Sequence, residues 1–327
     1  MKRLALKVLE SSGLFALARN TSARMARILM YHNFARAEDG QSGAVSVEAA
    51  RQQLAYLRRH FQVVSLTHLV EQLKTAERLD SRMVVLTVDD GRRNFYEFLF
   101  PVLQEFQIPA TFFVVSSFIR REDWLWTDKV LWLAEQPLTV EELHPHRIEH
   151  FFEKMNRLRP ERRNAYIDST AERMRVSIPR DPPPKYAPCS WAELRRMADS
   201  GLVEIGSHSV THPIFSSLSD EETWRELATS RAHIESELGR KVESFCFPNG
   251  KPVDYLPRHL DQVQRAGYFS AVLTHFGMSC RGSSSYTLSR IGVSGQTDFL
   301  SFKKYVDGVE YYQTKVRAAG FRRAMTW

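Results

Sequence analysis

Cysteine is scarce. Cys189, Cys246 and Cys280 are the three in 327 residues, an odd count with no C-x-x-C spacing. A disulfide framework and a thiolate zinc site are therefore set aside, and buried free thiols in a reducing compartment are expected. Long apolar runs are missing too: no stretch approaches the roughly 20 apolar residues that a spanning helix needs. There is no internal repeat and no low-complexity tract. No nucleic-acid motif accompanies the formal charge of +7, so nucleic acid is not an expected partner. With 43% hydrophobic and 11% aromatic residues, the chain can build a sizeable core, which argues against global disorder.

Much of the basic excess sits in the first 27 residues and in Arg147–Arg180. A positive surface suits an anionic membrane face, an acidic glycan or a nucleotide-linked sugar, or is simply a solvated face. The beginning, MKRLALKVLESSGLFALARNTSARMAR, lacks the unbroken apolar centre of a cleaved signal peptide, because Lys7 and Glu10 interrupt it. Leu4, Val8 and Leu9 recur at helical spacing with Lys2, Arg3 and Lys7 between them, which predicts an amphipathic helix over residues 1–27. Such a helix could lie on an anionic membrane or pack on the protein's own body. Without an export signal, the expected location is cytoplasmic, or peripheral at the inner membrane face.

Short apolar runs then alternate with helical stretches. ARILMYH (26–32), FQVVSL, RMVVLTVDD (82–90), PATFFVVSSF, VEIGSHS, ESFCFP and YFSAVLT (268–274) read as strands, and VEAARQQLAYLRRH, THLVEQLKTA and FYEFLFPVLQEFQ as helices. Strands that are apolar on both faces belong to a parallel sheet wrapped by helices, so the pattern predicts an α/β barrel or an open doubly wound sheet. About residues 119–187 the strand signals vanish and charged helical segments take over, ending in RDPPPKYAP: a helical insertion in one loop of a body spanning 28–300. Residues 301–327 read as a basic helical tail.

Three segments carry chemistry. Thr87-Val88-Asp89-Asp90-Gly91 places two acids at the carboxyl end of a buried strand, where parallel α/β folds put their sites. Asp-Asp-Gly is also ordinary turn chemistry. His208-Ser209-Val210-Thr211-His212 follows the strand VEIGS, and histidines at i and i+4 on one helical turn are close enough to share an ion. Asp90, His208 and His212 together form a two-His, one-carboxylate set with open positions for water and substrate, best suited to Zn2+ among divalent metals. Phe245-Cys246-Phe247-Pro248-Asn249-Gly250 ends a strand in a turn that can present backbone N–H groups, and by residue type it reads equally as a plain connection.

In order and rough spacing these segments resemble the motifs of the NodB-homology polysaccharide deacetylases, carbohydrate esterase family four. Thr87–Gly91 resembles T-F-D-D-G with Val88 for Phe, His208–His212 matches H-[ST]-x-x-H, and Phe245–Gly250 is similar to F-x-Y-P-Y-G. The resemblance covers about residues 26–300, with a gap over the insertion. It implies a distorted (β/α)7 barrel, Asp89 as catalytic base, Asp90, His208 and His212 as metal ligands, and the backbone N–H of Asn249 as an oxyanion donor. The substrate it implies is an acetylated glycan, losing N- or O-acetyl groups by hydrolysis.

The chain also departs from that pattern. Cys246 stands where the common third motif has the Arg that orients the base, and Arg290, in LSRIGV, is the candidate to brace Asp89 instead. The late Leu-x-x-His that supplies a general acid is not found. His32, in Met30-Tyr31-His32, resembles an early histidine of the circularly permuted members and is preferred over His275. Two other readings keep the fold: a hydrolase of C–N bonds in small cyclic amides, and a non-catalytic glycan-binding protein. Trp124, Trp126 and Trp132 could stack on sugars, but their spacing suits a buried helical face better.

Overall fold

The computed structural model describes residues 2–39, 41, 43–75, 79, 82–137 and 140–324. Among these residues ten strands form: β1 (Arg27–Tyr31), β2 (Phe34–Ala35), β3 (Val45–Ser46), β4 (Gln62–Val63), β5 (Met83–Val88), β6 (Ala110–Val114), β7 (Val203–Ser207), β8 (Ser244–Cys246), β9 (Ser270–Val272) and β10 (Ile291–Gly292). The helices are α1 (Lys2–Ser11), α2 (Leu14–Thr21), α3 (Val47–His60), α4 (Leu66–Thr75), α5 (Phe100–Phe106), α6 (Ser116–Ile119), α7 (Trp126–Ala134), α8 (Ile148–Asn156), α9 (Pro160–Arg173), α10 (Trp191–Asp199), α11 (Asp220–Leu238), α12 (Pro257–Arg265), α13 (Phe299–Val306) and α14 (Val309–Ala324).

The main sheet is parallel, in the order β10-β1-β5-β6-β7-β8-β9, with β4 paired to the first residues of β5. It curls into a barrel. The segment before β10 reaches β9 through Leu273 N–H to Leu288 O (2.9 Å) and a parallel bridge between Val272 and Leu288. The curl is distorted at β5, whose start pairs with β4 and whose end pairs with β6. β4 keeps only two of the residues expected of FQVVSL, because the chain turns into α4 at Leu66.

Side-chain alternation splits the apolar residues into two layers. Ile28, Val85, Phe113, Cys246, Val272 and Leu288 point into the barrel and pack with Leu66, Leu69 and Val70 of α4. Helix α4 lies across the end where strands begin, since Thr67 bonds to Glu204 and Glu243 (both 3.4 Å) at the starts of β7 and β8. The opposite, carboxyl end is left for polar groups. The outer layer, including Leu29, Leu86, Phe112 and Phe245, packs under α3, α10 and α11.

Within residues 119–187 the described regular structure is helical (α7, α8 and α9), with its own core of Trp126, Val130, Leu133, Phe151, Met155 and Ile167. Trp126 is buried in this core and Trp124 in a neighbouring cluster with Val115, Phe118 and Tyr186, so neither is displayed to solvent. At the far end of the chain, α13 belongs to the barrel wall, with Phe302 and Val306 fully buried. The N-terminal stretch is two helices rather than one, broken at Gly13 (φ 79°). Cys189 and Cys246 are buried free thiols, and Cys280, against expectation, is exposed.

Candidate metal centre and carboxylate pair

Period-two geometry puts Val85, Thr87 and Asp89 on the inward face of β5 and its extension. Asp89 therefore ends inside the barrel mouth, where Arg290 meets it: Nη1 donates to Oδ1 and Nη2 to Oδ2, both at 2.7 Å. Arg290 is itself fixed by Leu273 O (2.9 Å) and the Thr87 hydroxyl (3.0 Å). The Cys246 sulfur lies 3.1 Å from Arg290 Nη2 and 3.5 Å from Asp89 Oδ2. Burial alone would raise the Asp89 carboxyl, but the Arg290 guanidinium outweighs it and holds the group below the usual carboxylate range. Burial pushes the Cys246 thiol well up, so it stays protonated.

Asp90 turns the other way because its backbone is left-handed (φ 82°), as is Gly91 (φ 87°). A Cβ at Gly91 would meet Ile119 Cδ1 at 3.0 Å and Val114 Cβ at 3.3 Å, so this turn needs glycine. Asp90 Oδ1 faces two ring nitrogens, His208 Nε2 at 3.7 Å and His212 Nε2 at 3.8 Å. Its other oxygen pairs with Arg92 (Nη1–Oδ2, 2.7 Å). Burial would raise the Asp90 carboxyl; Arg92 foremost, with His32, His212 and His208, drives it well below the ordinary range.

The two histidines do not share a helical turn. Residues 208–212 form an irregular loop in which Ser209 (φ 70°) and His212 (φ 56°) are left-handed, and this bend brings the rings to 4.7 Å between centroids. Glu226 of α11 pins the loop, accepting from the N–H groups of Val210 (2.7 Å) and Thr211 (3.0 Å) and from the Thr211 hydroxyl (2.7 Å). Trp126 Nε1–H bonds to His212 O (3.3 Å), so the insertion holds the loop from the other side. Asp90, Ser209, His212 and Asn249 are four of the seven non-glycine residues with positive φ among the described residues, a concentration of backbone strain typical of functional sites.

The donor set fits a divalent ion. His208 Nδ1 donates to Cys246 O (2.7 Å), which fixes the tautomer and leaves Nε2 as a bare lone pair aimed at Asp90. Burial lowers the His208 ring and, helped by His208 itself, takes His212 down to about 3, so both are neutral as ligands must be. The three ligand atoms lie within 4.8 Å of one another. Asp89, His208 and Cys246 also come that close, but there Asp89 is spent on Arg290 and the thiol is protonated, so the first set is the better candidate for a metal site.

His32 follows β1 at the same mouth, with Nε2 3.8 Å from Asp89 Oδ2 and a side chain 42% exposed. Asn249 (φ 57°) is in the loop after β8, its side chain bonded to Asp254 (2.7 Å) and its carbonyl to the Thr274 hydroxyl (2.6 Å). Its N–H has no protein acceptor among the described residues. His275 is not brought in: its ring makes no hydrogen bond or ion pair to Asp89 or Asp90 among the described residues, and its Nδ1 is buried without a partner. The sequence reading missed Arg92 and Asp128. Arg92 grips Asp128 of α7 with two bonds (Nε–Oδ2 3.0 Å, Nη2–Oδ1 2.5 Å) and Asn33 with a third (3.0 Å). The basic residue just after Asp-Asp-Gly was the available signal, whereas Asp128 had none.

Fold and site together are those of an α/β barrel with a candidate metal centre at its carboxyl end. The model of the family described as "Polysaccharide deacetylase" matches residues 76–270, and the chain belongs to this family. A 93-residue stretch is 38% identical to the poly-beta-1,6-N-acetyl-D-glucosamine N-deacetylase of Escherichia coli (strain K12); it covers 28% of this chain and 14% of that protein. Among solved structures, the Streptococcus pyogenes deacetylase PplD in complex with acetate superposes with a TM-score of 0.61 at 17% identity, over 87% of this chain and 99% of that one. IcaB from Ammonifex degensii gives a TM-score of 0.59 at 19% identity, over 87% and 97%. At these identities the structural likeness speaks for the shared barrel.

Proposed function

We propose that the chain is a metal-dependent hydrolase that removes acetyl groups, N-acetyl first of all, from a polysaccharide, oligosaccharide or glycan precursor. The observation that carries this is the convergence of Asp90, His208 and His212 beside an Asp89 that takes no part in the ligand set. Zn2+ is the ion the ligand types favour, and when bound it supplies Lewis acidity toward the acetyl carbonyl and the attacking water.

The chain's own groups divide the remaining work. Asp89, kept ionised and oriented by Arg290, accepts the proton of the attacking water. The free N–H of Asn249 donates to the oxygen that gains negative charge as the carbonyl becomes tetrahedral. His32, on the open side of Asp89, delivers a proton to the departing amine. Arg92 occupies Asp90 Oδ2, so that one oxygen of this carboxylate is left facing the two histidines.

The E. coli relative's name makes N-acetylated β-1,6-linked glucosamine oligomers the first substrate to try. Zinc-loaded protein should release acetate from them or from another N-acetylated glycan, and Asp89→Asn should lower kcat by about 10²–10⁴. Turnover of cyclic amides without acetate from any acetylated glycan would replace this reading. Glycan binding without turnover of either kind would make the protein a binding module.

A further inference from the structure

The net charge is not spread over the barrel. Residues 1–24 carry five basic residues and one acid, and residues 309–327 carry four and one; the 284 residues between them carry 36 of each. All of the chain's net charge of +7 thus belongs to the stretches that hold α1, α2 and α14. The acids of these stretches are both engaged, Glu10 by Lys303 and Glu310 by Lys304.

The same helices hold most of the large exposed apolar side chains. Among the described residues these number eight, and five are Leu4, Val8, Leu14, Leu17 and Val316. Leu4 is 70% exposed, Leu17 57% and Val316 72%. Between α1–α2 and α14 runs an open groove of about 620 Å³, its walls made by Leu9, Leu14, Leu17, Val309, Tyr312 and Val316 among others. Lys7 and Lys315, both exposed, belong to the helices that form it.

These helices are not loose appendages. Buried Arg27, at the start of β1, donates to Val306 O (2.8 Å) and Ser22 O (2.9 Å), tying the ends of α13 and α2 to the sheet. Arg19 bonds to Tyr56 (2.8 Å) and Asp307 (3.1 Å). The groove is therefore fixed at the end of the sheet where β1 begins, whereas His32, Asp89 and Asp90 follow the residues where β1 and β5 end.

An apolar strip beside the exposed Lys7 and Lys315 is the chemistry of an interfacial helix on anionic lipid. We propose that the α1–α2–α14 groove docks on an anionic bilayer surface, holding the protein by the end opposite its catalytic mouth. The mouth then faces away from the lipid, toward a glycan that extends from the surface rather than toward sugars at headgroup level. This docking does not depend on the reaction performed.

Sedimentation of the 327-residue chain with vesicles tests it. Vesicles of equal parts phosphatidylcholine and phosphatidylglycerol should carry the protein down, phosphatidylcholine alone should not, and raised salt should weaken the binding. Lys7→Glu and Lys315→Glu should each weaken binding by about fivefold or more. Leu17→Glu and Val316→Glu, at exposed positions with little call on folding, should abolish it while circular dichroism and any acetate release in solution stay as in the parent. Equal binding to neutral vesicles, or none to anionic ones, would overturn the proposal. So would a dimer in sedimentation velocity that Leu17→Glu dissolves, since the groove would then belong to a second copy.

Discussion

Asp89 and Arg290 are 201 residues apart in the chain and meet through two direct hydrogen bonds of 2.7 Å. A fully buried pair of this kind is costly to break, because the surviving charge is left unpaired. Arg290→Met should destabilise the fold by about 3–5 kcal/mol at neutral pH. The sign with pH follows from the depressed Asp89 carboxyl: its contribution is complete above the unfolded carboxylate value and fades as pH falls toward the folded one. In the variant burial raises the same carboxyl, so the stability gap between parent and Arg290→Met should begin to narrow above about pH 4 and keep narrowing as pH falls toward the parent's depressed value, in thermal melts across pH. For activity, removing Arg290 leaves burial as the main influence on Asp89 and raises it, so the acidic limb of kcat/KM should move to higher pH, with Arg290→Lys moving it less. An acidic limb that stays where it was in both variants would deny Arg290 this positioning role.

At the scale of elements, loops and the insertion shape the site more than the strands do. β5 and β7 deliver Asp89 and His208 to the mouth, but the turn at Asp90–Gly91 and the bent 208–212 loop decide which way the ligands face. These backbones are strained, and Glu226, Trp126 and the Arg92–Asp128 pair hold them. Arg92 is kept firmly cationic, since Asp128 and Asp90 outweigh the burial that would lower it. Asp128→Asn should free Arg92 to compete for Asp90, lowering zinc affinity by about 10–100-fold in calorimetric titration. Unchanged affinity would mean that the insertion merely covers the barrel. This part of the site was illegible in the sequence for a physical reason: Arg92 and Asp128 have no pattern of their own, and only the docking of α7 on the barrel makes them a pair. His208 and His212 were legible as a pair, but through the wrong geometry, because i, i+4 spacing suggests a helical turn and left-handed φ values at Ser209 and His212 give the same proximity by another path.

For the whole molecule, the parallel barrel was legible because strands covered on both faces, such as β5 and β6, show as unbroken apolar runs, while turns and aspartates mark their ends. Short β4 and β10 were harder to bound, since two residues of pairing leave no periodicity. Arg290 stood out only through the Arg missing at Cys246. The amphipathic N-terminal stretch was visible, but not its break at Gly13 or its partnership with α14, which joins the two termini at one end of the barrel. The central claim is that Asp90, His208 and His212 grip one divalent ion while Asp89 stays free of it. Anomalous diffraction at the zinc edge from zinc-soaked crystals tests this directly. The account predicts a single peak about 2.0–2.2 Å from one Asp90 oxygen and from Nε2 of both histidines; no peak there, or one seated between Asp89 and Cys246, would contradict it.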